Sequence, residues 1–400
     1  MNILAIPTTF GLSKPLHGGQ NRFSNLIKEL ISWKNKIIVL QSSKYSDSGD
    51  EKITKVYNYP EFEVFGRGLF TFFRDFDFPF ILKIFKIVKK EKIDLIQITH
   101  PTGGAISLKI LMKITNNPLL VVYDAYNVEA DFSVNHFRDN PNYSKVERYL
   151  LPKYIKFLEK IVCRYVVDQL TVVSASDKKK IIELYHVNEE KITIIPSGCH
   201  IRDISSSATL RKQKRKIMGI GSDKTVLFFH GSYAHLPNQE SIEIIKNNIA
   251  PRFKNDENVL FLVGGFGVPE FESYNVKSIG FIDNIPDFLQ VVDIAIMPLI
   301  RGAGTKLKIF DYMSVGLPII STAKGVEGID VVNGEHVIVT SDADDNFVRM
   351  ISSLMNNKDQ RDKIGENARK LVKEKYNWHE IGASLNFTYQ NLLEEKNADT

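Results

Sequence analysis

The sequence predicts an α/β protein of two Rossmann-like, doubly wound domains. Three observations carry this. The chain has 400 residues, the length of two or three domains at about 100–200 residues each. Short, nearly continuous apolar and β-branched runs recur along it, as strands covered on both faces require. Helix-length segments separate these runs, and such alternation implies parallel sheets of right-handed βαβ units.

In the first half the strand-like runs are residues 3–6, 36–40, 95–98, 119–123, 170–173 and 192–195. The second half offers 226–229, 260–263, 294–297, 318–320 and 337–339. Helices are expected at 21–33, 79–92, 239–249 and 378–393. The break lies in residues 203–222, polar and serine-rich, then basic through the run RKQKRK at 211–216. That run reads as a solvated linker or first helical turn in preference to a nucleic-acid tail. The expected domains are 1–203 and 223–376, with a helix at 377–400 packing back on the first. Ligands of open α/β sheets bind at strand carboxyl ends, so two such domains would offer a cleft for two substrates.

Composition narrows the class. The chain is 43% hydrophobic, 25% charged and 10% aromatic, which is globular and not disordered. No apolar stretch reaches the roughly 18 residues of a transmembrane helix. The net charge of +5 permits contact with phosphates or an anionic membrane without making a nucleic-acid binder. Two cysteines, Cys163 and Cys199, exclude a disulfide framework and a cysteine-based zinc site, and both are expected to be buried. The N-terminus has no basic leader and reads as a first strand, so a cytoplasmic location is expected.

The most informative segment is 293–322, which reads strand, glycine-rich loop, helix, strand. Gly302 and Gly304 let the backbone approach a ligand closely. Thr305 is suited to cap a helix from Lys306, whose amino end would favour an anion, with a diphosphate the natural occupant. Arg301, Lys306 and Lys308 add positive charge. Leu307, Phe310 and Met313 form an apolar stripe. Asp311 at its edge would take ribose hydroxyls or pair with Lys308 at i, i+3. Neither GxxxxGK[ST] nor G-x-G-x-x-G is present.

This block, GAGTKLKIFDYMSVGLPIISTAKGVEGI at 302–329, resembles the nucleotide-sugar motif of family 4 glycosyltransferases, which have the GT-B fold. Further segments resemble that family in order: His17-Gly18-Gly19-Gln20, a loop under the donor diphosphate; Ile195-Pro196-Ser197-Gly198; His230-Gly231-Ser232-Tyr233 with Pro237-Asn238; Gly280-Phe281-Ile282-Asp283, whose backbone meets the nucleobase; and Tyr376-Asn377-Trp378. The resemblance implies a retaining, metal-independent transfer from a nucleotide diphosphate sugar to a glycan or lipid-linked acceptor, with no cofactor. It assigns donor binding to Gly18, Gly19, Ser232, Phe281, Ile282, Arg301, Gly304, Thr305, Lys306, Leu307 and Asp311. In the family's E-x7-E element the second acid falls on Asp311 and the first on Ala303. Segment 122–131, VYDAYNVEAD, resembles a D-x-H-N-x-E stretch with Tyr126 where histidine is usual. The resemblance makes Tyr126, Asn127 and Glu129 the catalytic candidates, and capping of the next helix is the alternative for them. His100 is a second cleft candidate, otherwise an ordinary loop histidine. His17 would contact a phosphate or cap a helix.

Asp75-Phe76-Asp77 is a D-x-D of the kind that holds metals elsewhere, here away from the donor half and not expected to bind one. Around it, Phe65, Phe70, Phe72, Phe73, Phe76, Phe78 and Phe80 interleave with Arg67 and Arg74, either covering core or meeting an anionic membrane. Peripheral association with the inner membrane face is therefore an expectation. A GT-B nucleotide-sugar epimerase and a catalytically inactive GT-B partner subunit are the alternative functions.

Overall fold

The computed structural model describes residues 1–7, 11–12, 18–43, 52–59, 78–101, 103–115, 119–138, 143–201, 208–302 and 304–398. His17, Ala303, the D-x-D and the aromatic run at 65–77 lie outside them.

The chain divides into two compact units, Met1–Pro196 with Trp378–Thr400, and Ser197–Asn377. Unit 1 holds strands β1 Asn2–Ile6, β2 Lys36–Ser42, β3 Lys55–Tyr59, β4 Leu95–Ile98, β5 Leu120–Ala125, β6 Gln169–Val172 and β7 Ile192–Ile194. They form one parallel sheet in the order β3-β2-β1-β4-β5-β6-β7. Because side chains alternate along a strand, each sheet face has its own core. Leu4, Ile38, Ile96 and Val121 pack with Ile84 and Leu108 of helices Phe78–Glu91 and Gly103–Ile114. Ile3, Ile37, Leu95 and Val122 pack with Leu26 and Leu385 of helices Gly18–Ser32 and Trp378–Ala398. Phe80, Ile81, Ile84, Ile87 and Val88 are buried, so the apolar side of Phe78–Glu91 is core.

Unit 2 holds β8 Thr225–His230, β9 Val259–Gly264, β10 Glu272–Ser273, β11 Val276–Ser278, β12 Ile294–Met297, β13 Ile319–Thr322 and β14 Ile338–Thr340. Their order is β10-β11-β9-β8-β12-β13-β14, parallel except for β10. Helices Lys308–Ser314 and Lys358–Lys375 cover one face through Phe310, Met313 and Val372. Leu236–Ile244 and Asp345–Asn356 cover the other through Ile242 and Phe347.

The boundaries differ from those read in the sequence. The Cys199 amide donates to the Tyr376 carbonyl (2.9 Å), which draws the start of unit 2 back to Ser197. Of the two readings of the basic run, linker or helix, the helical one holds. The run forms helix Ala208–Ile217, in which Arg211 and Arg215 bind Asp293 and Arg215 also donates to the Val291 and Lys224 carbonyls. Three strands escape the sequence reading: the half-exposed edge β3 and the short pair β10 and β11.

Candidate active site

In unit 2 the candidate residues follow the carboxyl ends of β8, β11 and β12. Between β8 and β12 the strand order reverses, the place where open α/β sheets bind ligands. The loop after β12 turns through Gly302 (φ +127°) and Gly304 (φ +64°), conformations that favour glycine. Thr305 does not cap a helix. The helix is Lys308–Ser314, Leu307 takes the capping position without a side-chain bond, and Leu307 packs against the unit 2 core. The Thr305 hydroxyl is buried with no hydrogen-bond partner. Such a group costs about 1–3 kcal/mol until something accepts from it.

The charges around this loop are arranged unequally. Lys306 is nearly buried, donates to the Gly304 carbonyl, and stands 4.0 Å from the carboxylate of Glu327, in the turn after β13. Arg301 pairs with Glu240. Lys308 does not join the loop cations. Its amine donates to Asn238 Oδ1 (2.6 Å) and lies 4.2 Å from the Phe229 ring centre. Burial, then the Lys306 charge, pushes it down to about 7. That amine is committed to Asn238, whose own Nδ2 donates to the Ser232 carbonyl (2.8 Å) and so shapes the loop after β8.

Asp311 is partly exposed, with Oδ2 3.7 Å from His230 Nε2. Burial, and after it the Lys308 charge, drives the His230 imidazole down to about 3. It is therefore neutral, and its contact with Asp311 is not an ion pair. The Tyr312 hydroxyl accepts from the His230 amide (3.1 Å) and meets Nδ1 at 2.9 Å. Phe281, just past β11, is exposed and stands edge-on to exposed Phe266, ring centres 6.4 Å apart. Ile282 packs against Gly264.

In unit 1, Gly18 and Gly19 open the helix after β1, His100 follows β4, and Tyr126 and Asn127 follow β5. The Tyr126 hydroxyl lies 2.7 Å from His100 Nε2, with the rings edge to face at 5.4 Å. Thr99 Oγ1 holds His100 Nδ1 at 3.2 Å. A Cβ on Gly19 would stand 2.8 Å from Tyr126 Cε2. Gly19 thus makes room for the Tyr126 ring, a contact that spacing alone does not reveal.

Glu129 is placed differently from its neighbours. It is buried, with Asn127 hydrogen-bonded to its carboxyl, and burial followed by the nearby Glu159 pushes it up to about 8. Glu159 accepts from Tyr185 Oη (2.5 Å), Tyr123 Oη (3.3 Å) and the Glu129 and Ala130 amides (both 2.9 Å). Burial raises the Glu159 carboxyl too, against these four donors. With that many donors on Glu159 the charge resides there, and Glu129 stays neutral. Glu159 is also what caps helix Glu129–Phe137 from a distance, since Val128 has no side chain able to.

Family descriptions match both units. "Glycosyltransferase Family 4" matches residues 16–203, and "Glycosyl transferases group 1" matches 224–357. The chain belongs to the family 4, group 1 glycosyltransferases. Among curated relatives, this glycosyltransferase is 23% identical over 297 residues to the Escherichia coli UDP-Gal:alpha-D-GlcNAc-diphosphoundecaprenol alpha-1,3-galactosyltransferase, covering 70% of this chain and 69% of that one. It is 26% identical over 261 residues to an uncharacterized glycosyltransferase of Methanocaldococcus jannaschii, covering 61% of this chain but only 64% of the relative. Among solved structures, HepE of Anabaena in complex with UDP superposes with a TM-score of 0.72 at 14% identity, covering 98% of this chain and 100% of that one. WaaG, a glycosyltransferase involved in lipopolysaccharide biosynthesis, gives 0.69 at 14% identity, covering 96% and 98%. These likenesses show the GT-B fold.

Of the glycosyltransferase residues singled out in sequence, the structure gathers Gly302, Gly304, Thr305 and Lys306 in one loop, and Gly19 with Tyr126. The structure gives His100 a partner in Tyr126 and sets Glu327, Glu240 and Phe266, which the sequence reading did not single out, beside Lys306, Arg301 and Phe281. Phe266 sits in the run GGFG after a strand, a signal that would have found it; the two acids lie on surface helix and loop positions with none. Both cysteines are buried and unpaired, and burial raises both thiols. Among the described residues no three His, Cys, Asp or Glu gather to hold a metal, and no helix is long and apolar enough to cross a membrane.

Proposed function

We propose that this glycosyltransferase moves a sugar from a nucleotide diphosphate sugar to a glycan or lipid-linked acceptor, with retention and without a metal. The observation that carries the donor reading is the Thr305 hydroxyl, buried and unpartnered in a glycine loop beside Lys306 at the carboxyl end of β12. A phosphate oxygen there would accept from Thr305, from the Gly304 and Thr305 amides, and from a Lys306 ammonium released from the Gly304 carbonyl. Negative charge grows on the leaving diphosphate as the glycosidic bond breaks, so donors fixed at that point stabilise the transition state more than the ground state. Lys306 would supply neutralisation that a metal supplies elsewhere. Asp311 would accept from ribose hydroxyls, Ser232 and Arg301 would contact the donor from the loops after β8 and β12, and Phe281 and Ile282 would offer backbone and ring surface to a nucleobase.

In unit 1, Gly18 and Gly19 would offer backbone amides to a phosphate group, the space of a Gly19 side chain being already filled by the Tyr126 ring. Tyr126 and its partner His100 would orient a bound sugar, with Asn127 held by Glu129. A neutral, buried Glu129 suits positioning better than nucleophilic attack, in keeping with a mechanism resting on charge stabilisation. The Escherichia coli relative is named for a diphosphoundecaprenol substrate, which supports a lipid-linked acceptor and a site of action at the cytoplasmic membrane face.

A panel of nucleotide sugars, read for nucleoside diphosphate release with and without EDTA, tests this reading. Release unaffected by EDTA is expected. Sugar interconversion without release would instead indicate an epimerase, and binding alone an inactive subunit. Lys306→Ala should lower kcat/KM about 100- to 1000-fold. Thr305→Val should weaken donor binding about tenfold without loss of thermal stability, because the hydroxyl it removes has no partner in the free protein. Asp311→Ala should weaken donor binding similarly. Wild-type donor affinity in all three variants overturns the assignment.

A further inference from the structure

The sequence points to residues 65–80 for a membrane-facing surface. The described residues place an exposed aromatic and basic face elsewhere, on helix Lys145–Ile161 and the π-helical turn Val162–Val166 that continues it. Leu151, Leu158, Glu159, Val162 and Cys163 pack inward. The opposite side is exposed at 145, 146, 149, 150, 153, 156, 157 and 160, spacings of three and four that fall within an arc of about 140° at 100° per residue.

That arc has two edges. Lys145, Lys156 and Lys160 lie toward one with Tyr149 among them, Lys153 lies mid-arc, and Val146, Phe157 and Leu150 lie toward the other. Tyr149 is 64% exposed and Phe157 58%. Lys153 Nζ sits 3.7 Å from the Tyr149 ring centre. Arg164 and Tyr165 extend the face, Tyr165 being 67% exposed. On this segment neither acid is left on the exposed arc. Of the two on the segment, Glu147 is taken up in the capping box with Ser144 and Glu159 is buried. Helix Gly103–Ile114, which packs against the turn Val162–Val166, also exposes Ile110 and Ile114. Long cations among aromatics, with the segment's two acids held off the arc, complement a negatively charged partner that also accepts apolar side chains. An anionic headgroup layer over acyl chains is such a partner.

We propose that this face seats unit 1 on an anionic lipid bilayer, with Tyr149, Leu150 and Phe157 entering the headgroup boundary and the lysines meeting lipid phosphates. This deepens the reading of a lipid-linked acceptor by naming the surface that brings the enzyme to it. Flotation of the full chain with phosphatidylcholine vesicles, with and without phosphatidylglycerol, tests it. Binding is expected only to the anionic vesicles and should fall with added salt. The triple variant Lys153→Glu/Lys156→Glu/Lys160→Glu should bind at least about 100-fold more weakly, and Tyr149→Ser/Phe157→Ser about tenfold. The control Lys212→Glu/Lys216→Glu, exposed lysines of unit 2, should bind like the wild type. Nucleotide-sugar affinity measured on the same variants should not change, which keeps this test separate from the donor assignment: a wild-type protein that binds anionic vesicles but no nucleotide sugar would sink that assignment alone. Vesicle binding retained by the triple variant, equal binding to neutral vesicles, or a wild-type dimer that these substitutions split without any vesicle binding would each overturn the proposal.

Discussion

Glu129 and Glu159 put two carboxyl groups in one buried corner of unit 1, where only one can hold a charge. The four donors on Glu159 decide which. Glu129 therefore keeps its proton up to about pH 8, whereas in the unfolded chain it would release it near 4.5. Between those values the folded protein binds the extra proton, so stability falls as pH rises across that window. Replacing Glu129 with Gln, a neutral mimic, should leave stability at pH 5 close to wild type and flatten the decline toward pH 8. Urea unfolding midpoints at several pH values measure this, and an unchanged slope in the variant would show that Glu129 is ionised. The neighbouring residues teach a related point. Tyr126 reads in sequence as a departure from a histidine-bearing pattern, yet the fold supplies a histidine to its hydroxyl from a different strand end.

At the level of elements, the strands buried on both faces were readable because their hydrophobicity is continuous, as in residues 226–229 and 294–297. Edge strand β3, KVYNY, was not, since half of it faces outward and alternates with polar residues. Thr305 looked like a helix cap because it precedes a basic and apolar run, but residues 306 and 307 turn before the helix begins, leaving its hydroxyl toward the loop. Helix Ala208–Ile217 was legible only as one of two alternatives, for a different reason. Its composition is that of a solvated segment, and the acid that fixes it, Asp293, is about eighty residues away. Asp293 binds Arg211 and Arg215 and accepts from the Val226 amide (2.8 Å), tying the helix to the starts of β8 and β12. Arg215 is only 6% exposed. Asp293→Ala should lower the stability of unit 2 by about 3 kcal/mol, since it strands a buried guanidinium. In a thermal scan the unit 2 transition should move down while that of unit 1 stays in place; a shift confined to unit 1 would contradict it.

For the whole molecule, the chain leaves unit 1 at Pro196, builds unit 2, and returns at Trp378 to finish unit 1. The returning helix is not an accessory. Trp378, Ile381, Leu385 and Tyr389 are buried in one of the two unit 1 cores, and Asn386 Oδ1 accepts from Asn35 Nδ2 (2.7 Å). Gly382 lets it lie against helix Gly18–Ser32, where a Cβ would stand 2.3 Å from that of Glu29. Gly382→Leu should therefore destabilise unit 1 by about 2–3 kcal/mol through overpacking. The thermal signature should be the reverse of the Asp293 variant, with unit 2 unmoved. A wild-type unit 1 transition would mean that the two helices do not need this close approach.

That return has a consequence during synthesis. Phe23, Leu26 and Leu30 acquire their final cover only when the residues after Asn377 have left the ribosome. About 180 residues of unit 2 are translated in between, roughly 10–40 s at about 5–20 residues per second. Unit 2 is continuous in the chain and needs no later segment, whereas the earlier-made unit spends that whole interval with an apolar flank uncovered, a surface open to chaperones.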